Sequence, residues 1–227
     1  MRRAVTVLCA LAFVVGGCGR GEDPATPIRT IEPQNTASSP AAKVASDAAA
    51  CRLLASKERT SIAGTDLDAV VPAARQEKSR QCRWVSTPSK PLPALSVVTS
   101  SAQAWVVQMP RMVDAFLVSG RTSKRFTEQL QAAKKKVLRG ADKLSDSEAC
   151  EMFSLIVRAN GGEEGARVIV HFQPAQSGQI IAIGQKCTRG VYTALTYEEN
   201  DLAPSEPLIA AMSRLVGDAH QRAIELG

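Results

Sequence analysis

The chain has 227 residues, with 28 Lys and Arg against 22 Asp and Glu, a formal net charge of +6, and aromatic side chains at only 4%. So mild a surplus, with so few rings to stack on bases, argues against a nucleic-acid partner. The length suits one folded domain, or two small ones, behind a targeting segment.

Met1-Arg2-Arg3 is a short cationic head, followed by an apolar run from Ala4 to Val15 and then Gly16-Gly17-Cys18. Charge, apolar stretch and small residues in that order are the layout of a secretory signal peptide. A membrane-crossing helix needs about 20 apolar residues, and this run stops short, turning at once to Gly19-Arg20-Gly21-Glu22-Asp23. Val15-Gly16-Gly17-Cys18 resembles the lipobox of bacterial lipoproteins. That resemblance implies cleavage after Gly17, a diacylglyceryl group on the Cys18 thiol, and anchorage in membrane lipid through Cys18 on the extracytoplasmic face. The rival is a plain signal peptide whose Cys18 later joins a disulfide. Cysteine parity favours lipidation. Cys9 leaves with residues 1–17, and removing Cys18 from the remaining five leaves an even set: Cys51, Cys82, Cys150 and Cys187. Without Arg2 and Arg3 the chain keeps 26 basic and 22 acidic residues, near +4, a balance suited to anionic lipid or wall polymer.

Residues 18–46 are rich in Pro, Ala, Ser and Thr. They bury too little apolar surface to offset ordering entropy and read as a lipidated flexible tether. The folded part, 47–227, opens with a helix over Asp47–Ser61, its face marked by Cys51, Leu54, Ala55 and Ile62, with Gly64 to close it. Cys82–Val85 and Ala94–Val98 read as strands joined by a Pro-rich loop, and Ala104–Val107 as another short strand. Pro110 suits the start of a helix carrying Met112, Val113, Phe116 and Leu117 before Gly120. Phe126, Leu130, Ala133 and Val137 repeat at helical spacing up to Gly140. Ser145-Asp146-Ser147-Glu148 fits a capping box ahead of an apolar stripe, Ala149, Met152, Phe153, Ile156 and Val157, which Gly161-Gly162 ends. Arg167–Phe172 and Gln179–Ile183 flank a turn at 175–178, Gly190–Tyr197 adds a third strand, and a helix from Pro204 or Ser205 closes the chain. Its inward residues are Leu208, Met212, Leu215, Val216 and Ala219. Helices separated by antiparallel strands give an α+β fold, with helices packed on one face of the sheet. The order helix, Cys, strand, Cys occurs twice and suggests two similar halves, 47–120 and 141–227.

Four cysteines allow three pairings, and sequence does not choose among them. Cys51–Cys82 and Cys150–Cys187 are preferred, because each ties a helix to the neighbouring sheet. Zinc is the rival, but its sites bring ligands in close C-x₂₋₄-C pairs that these spacings lack. No metal and no cofactor is expected. Glu198-Glu199-Asn200-Asp201 gathers oxygen ligands of the kind calcium takes, without EF-hand spacing, and reads as a solvent loop. Lys134-Lys135-Lys136, with Arg121, Lys124, Arg125 and Arg139 nearby, is a solvated helix face that also suits anionic headgroups or wall polymer. Trp84 and Trp105 read as core.

Cys51-Arg52-Leu53-Leu54, with Gln81-Cys82-Arg83-Trp84 some thirty residues on, resembles a group of actinobacterial envelope lipoproteins. Their shared domain has no assigned function. The likeness covers about Cys51 to Val98 and implies an extracytoplasmic lipoprotein whose C-x-L-L and C-x-W cysteines pair.

Chemistry has few parts to work with. His171 lies in an alternating strand and His220 on an amphipathic helix, and both read as polar-face residues rather than general bases. No G-x-S-x-G elbow occurs. Gly161-Gly162-Glu163-Glu164-Gly165 follows a helix, whereas phosphate loops precede one. The expectation is therefore a non-catalytic binding or accessory module of the cell envelope, presented to an envelope protein or wall component, and not an enzyme. The alternatives are a small envelope hydrolase using His171 or His220, and a small-molecule carrier with an apolar pocket.

Overall fold

The computed structural model describes residues 43–74, 78–119, 123–175 and 178–226. The signal peptide, Cys18, most of the tether, Gly120, Arg121 and the tip of the 175–178 turn lie outside the described residues. Among the described residues eight strands are formed: β1 (Lys43–Val44), β2 (Ala69–Val71), β3 (Ala73–Ala74), β4 (Ser79–Thr87), β5 (Lys90–Ser101), β6 (Val168–Pro174), β7 (Ile180–Thr188) and β8 (Val191–Glu198). The helices are α1 (Ser56–Ala63), α2 (Ala102–Val106), α3 (Met109–Ser119), α4 (Lys124–Gly140), α5 (Asp146–Ala159) and α6 (Glu206–Leu226). Six strands make one antiparallel sheet in the order β2-β4-β5-β8-β7-β6, and β1 pairs separately with β3. The β5–β8 pairing joins the stretches 47–120 and 141–227 in that single sheet.

Successive strand residues point to opposite faces, and this sheet buries both. On one face Cys82, Trp84, Leu95, Val97, Ala182, Leu195 and Tyr197 meet Leu53 and Leu54 and the α6 stripe Met212, Leu215, Val216 and Ala219. On the other, Cys187 and Tyr192 meet Trp105 of α2 and Cys150, Phe153 and Val157 of α5, with α3 and α4 packed behind. The α+β class is as expected, and its helices divide between two cores rather than gathering on one face. Each core holds one disulfide. Cys51–Cys82 spans a Cα separation of 5.1 Å in the first, and Cys150–Cys187 spans 5.4 Å in the second. The leucines of the C-x-L-L motif are each 1% exposed and Trp84 is 2% exposed, so the motif residues are core.

Capping chemistry sets most boundaries as the sequence suggested. At α5 the Ser145 Oγ accepts from the Glu148 amide at 3.3 Å, and the Glu148 carboxylate accepts from the Ser145 amide at 2.8 Å. At α4 the Ser123 Oγ accepts from the Phe126 amide, with no return bond, and Gly64, at φ +65°, closes α1.

Three expected secondary-structure elements are corrected. The helix expected over Asp47–Ser61 is broken into a 3₁₀ turn, Ala50–Arg52, and α1. The Asp47 carboxylate accepts from the amides of Ala49 and Ala50 at 2.8 and 2.9 Å, starting a short turn. Burying both Leu53 and Leu54 then wins over continuing it. Ala55 turns extended, its amide held by Glu58 at 2.6 Å, and a new helix begins. The strand expected at Ala104–Val107 is α2, because Ser101 Oγ caps the Ala104 amide at 3.1 Å and Ala102, Val106 and Met109 recur at helical spacing. The Pro-rich loop shrinks to a turn at Pro88-Ser89, its flanks taken up by β4 and β5. Pro91 and Pro93 fall where the register slips between Val85–Ala94 and Thr87–Lys90, a place where a strand tolerates residues without an amide hydrogen.

Candidate ligand-binding cleft

The alternation that sends Cys82 and Trp84 to the α6 face sends Arg80 there too, one step beyond the packed core, and Lys78 sits in the turn just before the strand. There the sheet and α6 part. The result is a cleft of about 440 Å³, floored by Ala50, Leu53, Val191 and Ala223 and rimmed by Lys78, Arg80, Thr99, Ser100 and Leu226. Its size falls in the range of small-molecule sites. No carboxylate side chain lines it among the described residues.

The walls are fixed by bonds outside the cleft. Asp47 caps the 3₁₀ turn and its amide donates to the Gln81 carbonyl at 2.8 Å, while Cys51–Cys82 staples that turn to β4. Arg222 on α6 donates to the Leu53 carbonyl at 2.7 Å and grips both Glu58 oxygens at 2.7 and 2.6 Å. That guanidinium holds the Glu58 carboxyl below its ordinary value. Arg59 secures the turn from behind, donating to the carbonyls of Leu54 and Leu67 and lying 5.1 Å over the Trp84 ring. At the end of the cleft, Gly190 has φ +75°, and a Cβ there would stand 2.4 Å from the Asp146 carboxylate. Its carbonyl accepts from the Ala102 amide at 2.7 Å, so this turn touches the cleft and the starts of both α2 and α5.

A second hollow of about 370 Å³ lies at the other end of α6, against Tyr197, Glu199, Asp201 and Ser205. The acidic run there disperses. Glu198 pairs with Arg83 at 2.6 Å across the opposite face, Glu199 accepts from the Tyr197 hydroxyl at 2.8 Å, and Asn200 accepts from Gln179 at 3.0 Å. Among the described residues no three His, Cys, Asp or Glu gather to hold a metal ion. No helix among them is long and apolar enough to cross a membrane.

Neither histidine lines either hollow. His171 lies on β6, its Nδ1 buried without a hydrogen-bond partner, and burial lowers its proton affinity. His220 is not on a polar face. It is 1% exposed, four residues beyond Val216 on the buried stripe of α6, with Nδ1 3.0 Å from the Thr193 hydroxyl and Nε2 2.7 Å from that of Thr188. Burial, then the nearby Lys186 and Arg189, push its pKa down to about 4. Both nitrogens serve the core, which leaves none for a substrate. The unfolded chain takes this proton near pH 6.5 and the folded one near 4. Stability from this group is therefore complete above the higher value and drains away as pH falls toward the lower, by at most about 1.4 kcal/mol per pH unit. Urea midpoints measured down that window should fall for the wild type, and His220→Gln should flatten the slope. A parallel decline in both would refute the assignment.

Comparison with family models, with curated proteins and with solved structures finds no match for this chain. The apolar floor of the cleft beside two cations suits a ligand with an apolar body and an anionic or acceptor group.

Proposed function

We propose that this chain is a lipid-anchored extracytoplasmic binding lipoprotein without a catalytic role, whose disulfide-bonded domain offers the cleft to an envelope ligand or partner. The anchor is supported by Val15-Gly16-Gly17-Cys18 and by the even set of cysteines left when Cys18 is set aside. The likeness of the C-x-L-L and C-x-W segments to actinobacterial envelope lipoproteins supports the same address. One observation carries the binding role: a cleft of about 440 Å³ with a wholly apolar floor and Lys78 and Arg80 on its rim. The carrier reading shares that cleft. The hydrolase reading, through His171 or His220, has no comparable support, since His220 is engaged on both nitrogens inside the core and His171 lines neither hollow.

Dodecanoate and dodecanol make a matched pair of probes, alike in apolar body and different in charge. By native mass spectrometry and thermal shift, the acid should bind more tightly than the alcohol. The variant Lys78→Gln/Arg80→Gln should lose about tenfold for the acid, the scale of one charge-assisted hydrogen bond, and little for the alcohol. Absence of binding, or equal binding of both probes to both proteins, would remove the cleft from the proposal.

A further inference from the structure

Charge is unevenly placed on this molecule. Residues 102–144, which build α2, α3 and α4, hold nine Lys and Arg against three Asp and Glu. The rest of the chain from Cys18 onward holds seventeen against nineteen. The positive surplus therefore belongs to one helical group. α4 buries Phe126, Leu130, Ala133 and Val137 and turns Lys124, Arg125, Lys135 and Arg139 to solvent. Two further lysines are already paired, Lys134 with Asp114 inside the group and Lys136 with Glu148 of α5.

The same group carries aliphatic side chains that nothing covers. Val107, Val118 and Leu138 are 59%, 79% and 66% exposed. Helical spacing sets Leu138 in line with Lys124, Gln131 and Lys135 on the solvent side of α4. An exposed Leu138 set among Lys124, Lys135 and Arg139 matches the chemistry of a bilayer interface, where headgroups meet the charge and the acyl boundary takes the apolar tip. A soluble anionic polymer would satisfy the cations and offer the aliphatics nothing. We propose that the solvent side of the α3–α4 pair is a membrane-contact face, laying the domain on a bilayer that bears anionic lipid. This contact rests on neither Cys18 nor the cleft.

The test uses the chain from residue 18 on, with Cys18→Ser, which contains every described residue and no acyl group. It is sedimented with phosphatidylcholine vesicles and with vesicles that also contain phosphatidylglycerol. Binding to the anionic vesicles should be at least tenfold stronger and should weaken as salt rises. Each basic residue near such a surface contributes about fivefold, so Lys135→Glu/Arg139→Glu should lose roughly 25-fold or more without a change in melting. Leu138→Gln should bind less tightly at unchanged salt dependence. Equal binding to both vesicle types, no binding, or full binding by the double variant would overturn the proposal. So would binding to soluble polyglutamate as tight as to anionic vesicles with Leu138→Gln unaffected, which would assign the face to an anionic polymer.

Discussion

A chain carrying Cys150→Ser and Cys187→Ser together is expected to lose about 4 kcal/mol of unfolding free energy. The bond closes a sequence separation of 37 residues, and the chain-entropy relation for such a loop gives roughly 3.5–4 kcal/mol. Against a typical total of 5–15 kcal/mol, that is enough to bring the domain near its unfolding threshold. The loss should also be localised. The sulfurs sit among Trp105, Phe153 and Tyr192, whose rings meet at 5.3–5.9 Å, and they join α5 to β7. Hydrogen exchange should therefore rise first in α2 and α5 and later in α6. Cys51→Ser/Cys82→Ser opens a separation of 31 residues, with a similar total effect, but should loosen the 3₁₀ turn and the cleft wall instead. Urea melts with and without dithiothreitol provide the check, and identical curves would reject both bonds as stabilising elements.

Under a high-salt wash, Cys18→Ser should move the protein from membranes to the soluble fraction almost completely. Each buried methylene contributes about 0.8 kcal/mol and one acyl chain alone binds only marginally, so two chains decide between retention and release. Detergent phase partitioning reads the change directly. Mass spectrometry of the wild-type amino-terminal peptide should find a diacylglyceryl group on Cys18. A serine variant that stays bound through a high-salt wash would indicate another anchor. One that leaves only at high salt would reveal the weaker electrostatic hold expected of the α3–α4 face.

Most of the architecture was legible in the sequence because its signals are local. The Ser145–Glu148 box, the stripes of α4, α5 and α6, and the strands around Ala175–Gly178 each declare themselves within a dozen residues. What escaped depended on contacts at a distance. The first helix breaks so that Leu53 and Leu54 can both enter a core made by β4, β5 and α6. Trp105-Val106-Val107 resembles a strand by composition, yet the Ser101 hydroxyl starts a helix that drives Trp105 against Phe153 and Tyr192. The cleft was harder still, since its lining comes from five separate segments. One signal was present: Arg80, Cys82 and Trp84 alternate in a single strand pattern, placing a charge on the face that holds a buried cysteine and a tryptophan. For His220, spacing from Met212 and Val216 marked it as an inward residue, and the two threonines that satisfy it lie 27 and 32 residues away in sequence.

The turn at Gly190 gives the cleft a reach beyond its own walls. Its backbone serves as one border of that hollow, takes the first amide of α2, and abuts the leading carboxylate of α5. An occupant leaning on this corner would brace the pivot from which both helices hang, so that filling one side of the sheet would be felt as stiffening on the other, among aromatic rings that never meet the visitor.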